Sequence, residues 1–348
     1  MLQRHILHLR AATSRLQAHS PYGHHHLSIF SLSTQLSHQR AYSSTSHEST
    51  PSQFTPSERL IGRTCMITGG TSGIGFAIAE RFLQEGASRV ILVGRSHERL
   101  YKAASRLDAS SSSKSTQSTE SQETASAEPP QHHLIESSEK VNLLVGDISE
   151  AGSWARELEK VMQTTNLDIL VNAAGLSVSS ILPKSEPLDI SRILRTNLEG
   201  ALLTSRAFIR ASIRNRMKKN RDTSSSSLPA PSKCIINISS LLAHKSGTGA
   251  VPYAASKAGI LGLTRSVAVE AAASLRDVTI RSNAIIPGYI ETPMISDFSQ
   301  GETTRLKELI PLRRFGRPDE VADAAVFLAQ NEYANNCMLN LDGGLSAV

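Results

Sequence analysis

A phenol and an ammonium group stand four residues apart in the run Pro252-Tyr-Ala-Ala-Ser-Lys-Ala-Gly259, where they belong to Tyr253 and Lys257. On an α-helix this spacing places the two side chains on one face. A cation beside a phenol favours the phenolate and lowers the pKa of the phenol, which predicts a proton donor for acid–base chemistry. Such pairs are also common on solvated helices, so other motifs must decide between the two interpretations.

A glycine-rich run, Thr68-Gly-Gly-Thr-Ser-Gly-Ile-Gly75, lies between a strand-like segment, 64–68, and a helical pattern, 76–83. In a strand–turn–helix unit of this kind, backbone N–H groups and the helix N-terminus face a pyrophosphate, and glycines leave room for its approach. The sequence therefore predicts that a dinucleotide binds at this turn.

Combined with Asn172-Ala-Ala-Gly175, Ser240 and Tyr253-x-x-x-Lys257, this glycine spacing resembles the short-chain dehydrogenase/reductase family over about residues 60 to 344. Three further runs resemble the 3-oxoacyl-[acyl-carrier-protein] reductases within that family, with fungal mitochondrial members the most similar. These runs are 286–294, 310–321 and 339–344.

The resemblance implies a catalytic tetrad of Ser240, Tyr253, Lys257 and Asn197 that reduces a carbonyl without a metal. Ser240 is expected to bind the carbonyl oxygen and Tyr253 to donate the proton. Lys257 is expected to lower the Tyr253 pKa and hold the nicotinamide ribose, while Asn197 keeps a relay water in line. Ser239 has the same chemistry as Ser240, which leaves a one-residue alternative for the serine.

The expected cofactor is NADPH, because Arg95 ends the second strand, where a guanidinium suits a 2′-phosphate and an acid would bind a 2′-hydroxyl. Asp147 is expected to contact the adenine, and an N-cap role for the next helix remains open for it. Thr292 is expected to contact the nicotinamide carboxamide. The predicted cofactor-binding residues are Gly69, Thr71, Ser72, Gly73, Ile74, Gly75, Arg95, Asp147, Ile148, Asn172, Ala173, Gly175, Tyr253, Lys257, Pro287, Gly288, Ile290 and Thr292.

Strand-like and helical runs alternate along the chain, which predicts an α/β fold with a Rossmann-like, doubly wound parallel sheet in a single domain, residues 60–348. The predicted strands are 64–68, 89–93, 141–146, 168–172, 233–239, 278–286 and 337–341. The predicted helices are 74–85, 97–106, 150–164, 187–217, 252–274 and 318–330. Two Ser-rich segments, about 108–140 and 222–232, are predicted to be disordered surface insertions.

The N-terminal 47 residues contain four arginines, many Ser and His, and no acidic residue, a composition typical of a mitochondrial transit peptide. We predict a transit peptide at 1–42, a linker at 43–59 and a protein of the mitochondrial matrix. These arginines contribute four units of the formal net charge of +6, which leaves +2 for the rest of the chain. The basic pI of about 9.3 is therefore due mostly to the predicted targeting segment. Neither nucleic-acid binding nor a membrane span is expected.

The three cysteines, Cys65, Cys234 and Cys337, lie in apolar strand-like runs, and we expect them to be small core residues that bind no metal and form no disulfide.

The expected partner is acyl carrier protein bearing a 3-oxoacyl thioester. Because this carrier is acidic, its binding requires a basic surface. The candidate basic residues are Arg210, Arg214, Arg216, Lys218, Lys219, Arg276, Arg313 and Arg314. A lid is expected at 288–309. Small residues on the helix of Tyr253 suggest a homotetramer, and a heteromer remains open.

Two other functions remain open. The first is a carbonyl reductase or alcohol dehydrogenase of the same fold that acts on quinones, sterols or polyols. The second is a non-catalytic scaffold subunit that binds the cofactor and pairs with an active partner.

Overall fold

The computed structural model of the protein describes residues 58–111, 134–222, 231–245, 247–275, 278–296 and 298–348. These residues belong to one compact unit, Ser52–Val348. The predicted transit peptide, 1–42, lies outside the described residues.

The described strands form one sheet of eight, in the order β3-β4-β2-β1-β5-β6-β7-β8. All neighbours pair in parallel except β3, which is antiparallel to β4. The strands are β1 (Thr64–Thr68), β2 (Arg89–Gly94), β3 (Leu134–Glu136), β4 (Val141–Val145), β5 (Ile169–Asn172), β6 (Lys233–Ile238), β7 (Ile280–Pro287) and β8 (Met338–Leu341). The chain order reverses between β1 and β5, and in open α/β sheets a ligand crevice lies at such a reversal.

The described α-helices are α1 (Gly73–Gln84), α2 (His97–Ser111), α3 (Ser153–Thr164), α4 (Pro187–Leu194), α5 (Gly200–Asp222), α6 (Val251–Ser274), α7 (Gln300–Leu309) and α8 (Pro318–Gln330). A π-helical turn, Arg195–Glu199, separates α4 from α5. The predicted doubly wound α/β fold is confirmed, and the seven predicted strands are all present.

Alternate residues along β2 enter two separate cores, as expected for a sheet that is covered on both faces. Val90 and Leu92 belong to the core that includes α1, α2 and α8. Ile91 and Val93 belong to the core that includes Trp154 of α3 and Phe208 of α5. Near-continuous apolar strands of this kind hold the strand ends, and therefore the loops that follow them, in fixed positions.

Three sequence predictions need correction. The single helix predicted at 187–217 is interrupted by the π turn and extends through α5 to Asp222. Regular structure enters both ends of the insertion predicted at 108–140, because α2 continues to Ser111 and β3 pairs with β4. At the end of the second insertion, Ser232 is buried and accepts a hydrogen bond from Arg281, so it is not part of a solvated loop. Residues 112–133 and 223–230 lie outside the described residues.

Candidate active site

The glycine turn between β1 and α1 is shaped by close backbone contacts. Gly69 has φ of +70°, and a Cβ there would lie 2.7 Å from the Cα of Ala174. Gly73 has φ of +56°, and its Cβ would lie 3.2 Å from the Cγ2 of Thr292. The turn therefore packs against the chain after β5 on one side and against Thr292 on the other.

The N-terminus of α1 has features that suit an anion. Its N-cap, Ser72, makes no side-chain capping hydrogen bond, and the first turn contains no acidic residue. The free N–H groups and the positive end of the helix dipole are therefore available to a phosphate group. This arrangement agrees with the predicted role of the turn from Thr71 to Gly75.

Arg95, just after β2, lies opposite Asp147, just after β4. The guanidinium Nη1 is 3.9 Å from Asp147 Oδ2, and the Arg95 side chain is 65% exposed. Asp147 also accepts hydrogen bonds from the backbone N–H and the hydroxyl of Ser149, at 2.9 and 2.7 Å. The N-cap alternative for Asp147 is wrong, because α3 begins later and its N-cap is Gly152.

Asn172, the last residue of β5, ties neighbouring elements together below the cleft. Its Nδ2 donates to Ser205 at 3.1 Å and to Asn237 of β6 at 2.8 Å, while its Oδ1 accepts from Thr204 at 2.6 Å. Asn172 is buried, so it fixes the strand end rather than lining an open surface.

The loop after β5 is drawn toward β1 and passes close to the catalytic candidates. Thr68 Oγ1 accepts from the N–H groups of Ala173 and Ala174, both at 3.2 Å. A Cβ on Gly175 would lie 3.3 Å from Lys257 Nζ and 3.5 Å from Asn197 Oδ1. The small residues predicted here therefore allow the loop to touch both polar groups.

Ser240 and Tyr253 meet at the carboxyl-terminal edge of the sheet. Ser240 follows β6, is half-buried, and its Oγ accepts from the N–H of Leu242 at 3.3 Å. A hydrogen bond joins it to the Tyr253 side chain. Ser239, in contrast, is buried, and its Oγ donates to the backbone carbonyl of Lys257 at 2.9 Å. The structure thus places Ser240, rather than Ser239, against Tyr253.

The pKa of Tyr253 is raised above its ordinary value, because burial disfavours the phenolate more than the hydrogen bond with Ser240 favours it. The predicted lowering by Lys257 is therefore wrong for the free protein. Lys257 Nζ lies 5.6 Å from the centroid of the Tyr253 ring and donates to the carbonyl of Ile238 at 2.8 Å instead. At neutral pH the phenol keeps its proton.

Lys257 is itself unusual, since its side chain is only 4% exposed. Burial disfavours the ammonium form and lowers the pKa of Lys257 to about 8. Among the described residues, no carboxylate forms an ion pair with it. Near neutral pH the group can therefore both hold and release a proton.

Asn197 lies in the π-helical turn and is 1% exposed. Its Oδ1 accepts from the N–H of Leu176 and its Nδ2 donates to the carbonyl of Leu176, both at 2.9 Å. The same Nδ2 also donates to Ser256 Oγ at 3.1 Å. Both N–H groups of the amide are used, so the side chain anchors the loop after β5 and joins it to Ser256 of α6.

The predicted cofactor segment after β7 is held by its backbone. The N–H of Gly288 donates to Leu341 of β8 at 2.9 Å, and Ile290 forms a β-bridge with Gly316. The side chains of Pro287, Ile290 and Ile148 are buried. If these residues contact the cofactor as predicted, they would do so through their backbone atoms. Thr292 faces the glycine turn, as described above.

The predicted lid at 288–309 contains a short 3₁₀ helix, Pro293–Ile295, and α7. The helix α7 was not predicted from the sequence, although Ser299 caps it by accepting from the N–H of Glu302 at 3.2 Å. A separate apolar cluster joins this segment to the residue after Ser240 and to the C-terminal segment. Its buried members are Leu241, Leu306, Ile310, Phe315 and Leu345.

A cavity of about 130 Å³ lies beside Pro252, the residue before Tyr253. Val178, Ile190 and Ile193 give it apolar walls. Its polar side contains one cation, two carboxylates and two serines: Lys184, Glu186, Asp189, Ser180 and Ser185. This cavity is a candidate for the part of a substrate remote from the reacting carbonyl.

The predicted basic docking residues on α5 lie away from the cleft. The helix begins beside Asn197 at the active-site edge and runs toward the start of β6, at the opposite edge. Arg210 and Arg214 pair there with Glu159 of α3, at 2.9 and 2.6 Å. Arg314 pairs with Glu320 at 2.6 Å, and Arg276 lies outside the described residues.

Two of the three cysteines, Cys65 and Cys234, are fully buried, and Cys337 is partly buried. Burial raises the pKa of both buried thiols, so they are inert core residues. Within the ranges that the structure describes, no group of three or more His, Cys, Asp or Glu side chains could hold a metal ion. No helix of the same ranges is long and apolar enough to cross a bilayer.

Comparison with known proteins places this site in a family. A family model described as enoyl-(acyl carrier protein) reductase matches residues 119–346, and one described as short chain dehydrogenase matches residues 63–145. The 3-oxoacyl-[acyl-carrier-protein] reductase of Thermotoga maritima is 31% identical over 82% of this chain and 99% of its own. Carbonyl reductase family member 4 of Danio rerio is 32% identical over 82% of this chain and 98% of its own.

A solved structure from Beutenbergia cavernae, assigned as an NAD(P)-dependent gluconate 5-dehydrogenase with NADP bound at low occupancy, is also similar. It has a TM-score of 0.67 and 26% identity, over 83% of this chain and 98% of the other. The chain therefore belongs to the short-chain dehydrogenase/reductase family of NAD(P)-dependent oxidoreductases.

Proposed function

We propose that this protein reduces 3-oxoacyl-[acyl-carrier-protein] to 3-hydroxyacyl-[acyl-carrier-protein] with NADPH, in mitochondrial fatty acid biosynthesis. The observation that carries the proposal is the meeting of Ser240, Tyr253 and Lys257 at the sheet edge next to the glycine turn. The reaction needs a hydroxyl donor at the carbonyl oxygen, a protonated acid and a dinucleotide site, and all three lie together.

The residues present fit a nicotinamide dinucleotide. Glycines with positive φ leave positions 69 and 73 of the turn without a side chain, and α1 would present an open N-terminus to the pyrophosphate. Thr292 faces this turn, where it can bind the carboxamide, and Lys257 would hold the ribose. The chemistry that such a group supplies when bound is hydride transfer to the carbonyl carbon.

Ser240 and Tyr253 would act on the carbonyl oxygen. As negative charge develops there, the hydroxyl of Ser240 stabilises it and Tyr253 donates its proton. The raised pKa of Tyr253 suits this direction of reaction, because the phenol stays protonated at neutral pH.

Lys257 and Asn197 would restore that proton. With a pKa of about 8, Lys257 can give up a proton near neutral pH and regain it from water. The two N–H groups of Asn197 are already used, so we propose that the residue orders the loop around Lys257 and that the backbone of the π turn holds the relay water.

Arg95 supports NADPH over NADH. It follows β2 directly and its side chain is largely exposed. Among the described residues its one ion pair, with Asp147, is long at 3.9 Å and can be exchanged for a phosphate. A guanidinium offers several N–H donors to a phosphate, which makes Arg95 a suitable partner for the 2′-phosphate.

The acyl thioester substrate and the carrier partner rest on the similarity to the Thermotoga maritima reductase and on the resemblance of the three C-terminal sequence runs. The similarity to carbonyl reductase family member 4 favours a second candidate, a carbonyl reductase that acts on a free carbonyl compound rather than on a carrier-bound thioester. We also propose a homotetramer and a location in the mitochondrial matrix; sedimentation of the purified protein and imaging of residues 1–42 fused to a fluorescent protein test these two points.

The function is tested by following NADPH absorbance with three substrates at equal concentration: an acetoacetyl thioester on acyl carrier protein, the same acyl group on a small thiol, and a free ketone. We expect the carrier-bound thioester to react with the highest kcat/KM, and NADPH to be used in preference to NADH. Turnover of the free ketone alone would move the assignment to a carbonyl reductase.

The scaffold alternative requires a separate test in cells. A Tyr253→Phe variant should fail to replace the wild-type protein if catalysis matters, because the phenylalanine cannot donate a proton. Full replacement by that variant would favour a non-catalytic subunit.

A further inference from the structure

Ser256 is a buried hydroxyl that lies between two members of the tetrad and has no assigned role. It occupies the position before Lys257 on α6 and is 0% exposed. Its Oγ donates to the backbone carbonyl of Tyr253 at 2.6 Å and accepts from Asn197 Nδ2 at 3.1 Å. One hydroxyl therefore joins the turn of α6 that carries Tyr253 to the π-helical turn that carries Asn197.

The orientation of Asn197 depends on this contact. Its other two hydrogen bonds both go to the backbone of Leu176, in the loop after β5. Only the bond to Ser256 connects this amide to α6 in the described structure. Without it, the Asn197 side chain would follow the loop and no longer be fixed to the helix of Tyr253 and Lys257.

A change in the position of Asn197 would affect Lys257, because both side chains lie close to Gly175. A Cβ on Gly175 would lie 3.3 Å from Lys257 Nζ and 3.5 Å from Asn197 Oδ1, so loop, amide and ammonium pack at one point. A small shift of the π turn would change the space around the ammonium group. In a buried site of this kind, displacements below an ångström alter proton transfer strongly.

We propose that Ser256 is a positioning residue, which holds the Asn197 turn in register with Tyr253 and Lys257 so that protons are delivered to the active site. Its hydroxyl is fully buried and bonded to Tyr253 and Asn197, so it would act on the reaction through these two residues. The proposal rests on the proposed carbonyl reduction, but it applies to any carbonyl that the tetrad reduces.

The first test compares Ser256→Ala, Ser256→Thr and a control, Ser212→Ala, in the full chain. Ser212 is 3% exposed, and its Oγ donates to the carbonyl of Phe208 at 2.7 Å, so the control loses a buried hydroxyl of the same kind far from the tetrad. We expect Ser256→Ala to lower kcat roughly tenfold, with KM for NADPH within about twofold of wild type. Ser256→Thr should restore most of the loss, because a threonine hydroxyl in a helix can bond the same carbonyl. Equal kcat in Ser256→Ala and Ser212→Ala would overturn the proposal.

The second test is a double-mutant cycle, which remains informative if the threonine does not fit. If Ser256 acts through Asn197, then Ser256→Ala should change kcat by less than about twofold in an Asn197→Ala background. The solvent deuterium isotope effect on kcat should rise in Ser256→Ala, because proton supply becomes slower than hydride transfer. Additive losses in the cycle, or an unchanged isotope effect, would show that Ser256 only stabilises the fold.

The two proposals fail differently. If wild type reduces no carbonyl compound with NADPH, the proposed function fails. If wild type reduces a carbonyl compound with NADPH and Ser256→Ala has the same kcat, only the positioning role fails.

Discussion

The two edges of the parallel sheet both bury charged side chains, but the edges differ in the number of polar partners that these charges have. At the amino-terminal edge, Glu85 is fully buried and pairs with Arg59 at 2.5 Å and with Arg81 at 2.9 Å. Nearby, the buried Arg281 donates to Ser232 and to three backbone carbonyls. At the carboxyl-terminal edge, the buried Lys257 has one hydrogen bond and, among the described residues, no carboxylate partner.

This difference separates stability from chemistry. A buried charge whose partners are complete keeps its charge and fixes the fold. A buried charge without a counter-ion has a shifted pKa and can exchange a proton near neutral pH. Disrupting the first edge should therefore change unfolding, and disrupting the second should change turnover.

The largest effect is expected for Tyr253→Phe. Loss of the phenolic proton should lower kcat at least about 100-fold, because general acid catalysis typically contributes that much. The midpoint of thermal unfolding should stay near that of wild type, since the ring and its packing remain. Steady-state kinetics and calorimetry on the same preparation check both points, and a variant with near-normal kcat would remove Tyr253 from the mechanism.

Next in size is Glu85→Gln at the amino-terminal edge. Removing the carboxylate takes one charged partner from both Arg59 and Arg81, although Arg81 keeps its ion pair with Asp323 at 3.0 Å. Because the contact with Glu85 is buried, this change should lower the free energy of unfolding by about 3 kcal/mol. Urea titration measures this loss. The kcat per folded molecule should not change, because the edge is remote from the cleft; a parallel loss of kcat would mean that the two edges are coupled.

The pH dependence of stability tests the state of Lys257. Its folded pKa, about 8, lies below its ordinary value of 10.5, so between these values the unfolded chain binds more protons than the folded one. The free energy of unfolding should therefore rise with pH from about 8 toward about 10, and Lys257→Met should lose this part of the rise. An identical pH profile in the variant would show that Lys257 is not desolvated.

The smallest effect is expected for Arg95→Ala. Loss of one exposed guanidinium should raise the KM for NADPH roughly tenfold and leave that for NADH nearly unchanged. Kinetics with both cofactors measure the ratio. An equal change for the two cofactors would contradict the assignment of Arg95 to the 2′-phosphate.

The sequence predicted the parts of the molecule that are encoded locally. The strand–turn–helix around Gly69 and Gly73 follows from glycine positions, and the seven parallel strands follow from apolar runs. The edge strand β3 could not be predicted, because three residues beside a Ser-rich segment give no periodic signal.

Contacts between segments that are distant in the chain could not be predicted from the sequence. The bonds of Asn197 to Leu176 and Ser256, and the bond of Lys257 to Ile238, exist only after the elements have packed. The direction of the Tyr253 pKa was missed for the same reason, since the spacing from Lys257 carries no information about burial. A serine next to the lysine was visible in the sequence, but only the fold shows what it holds.

We propose that the residues at the carboxyl-terminal edge direct a hydride from NADPH onto a carbonyl carbon. The most direct measurement uses NADPH deuterated at its transferable position, with an acetoacetyl thioester on acyl carrier protein, and mass spectrometry of the product. We expect one deuterium on the former carbonyl carbon with wild type and almost no product with Tyr253→Phe. Product without deuterium, or equal labelled product from the variant, would contradict it.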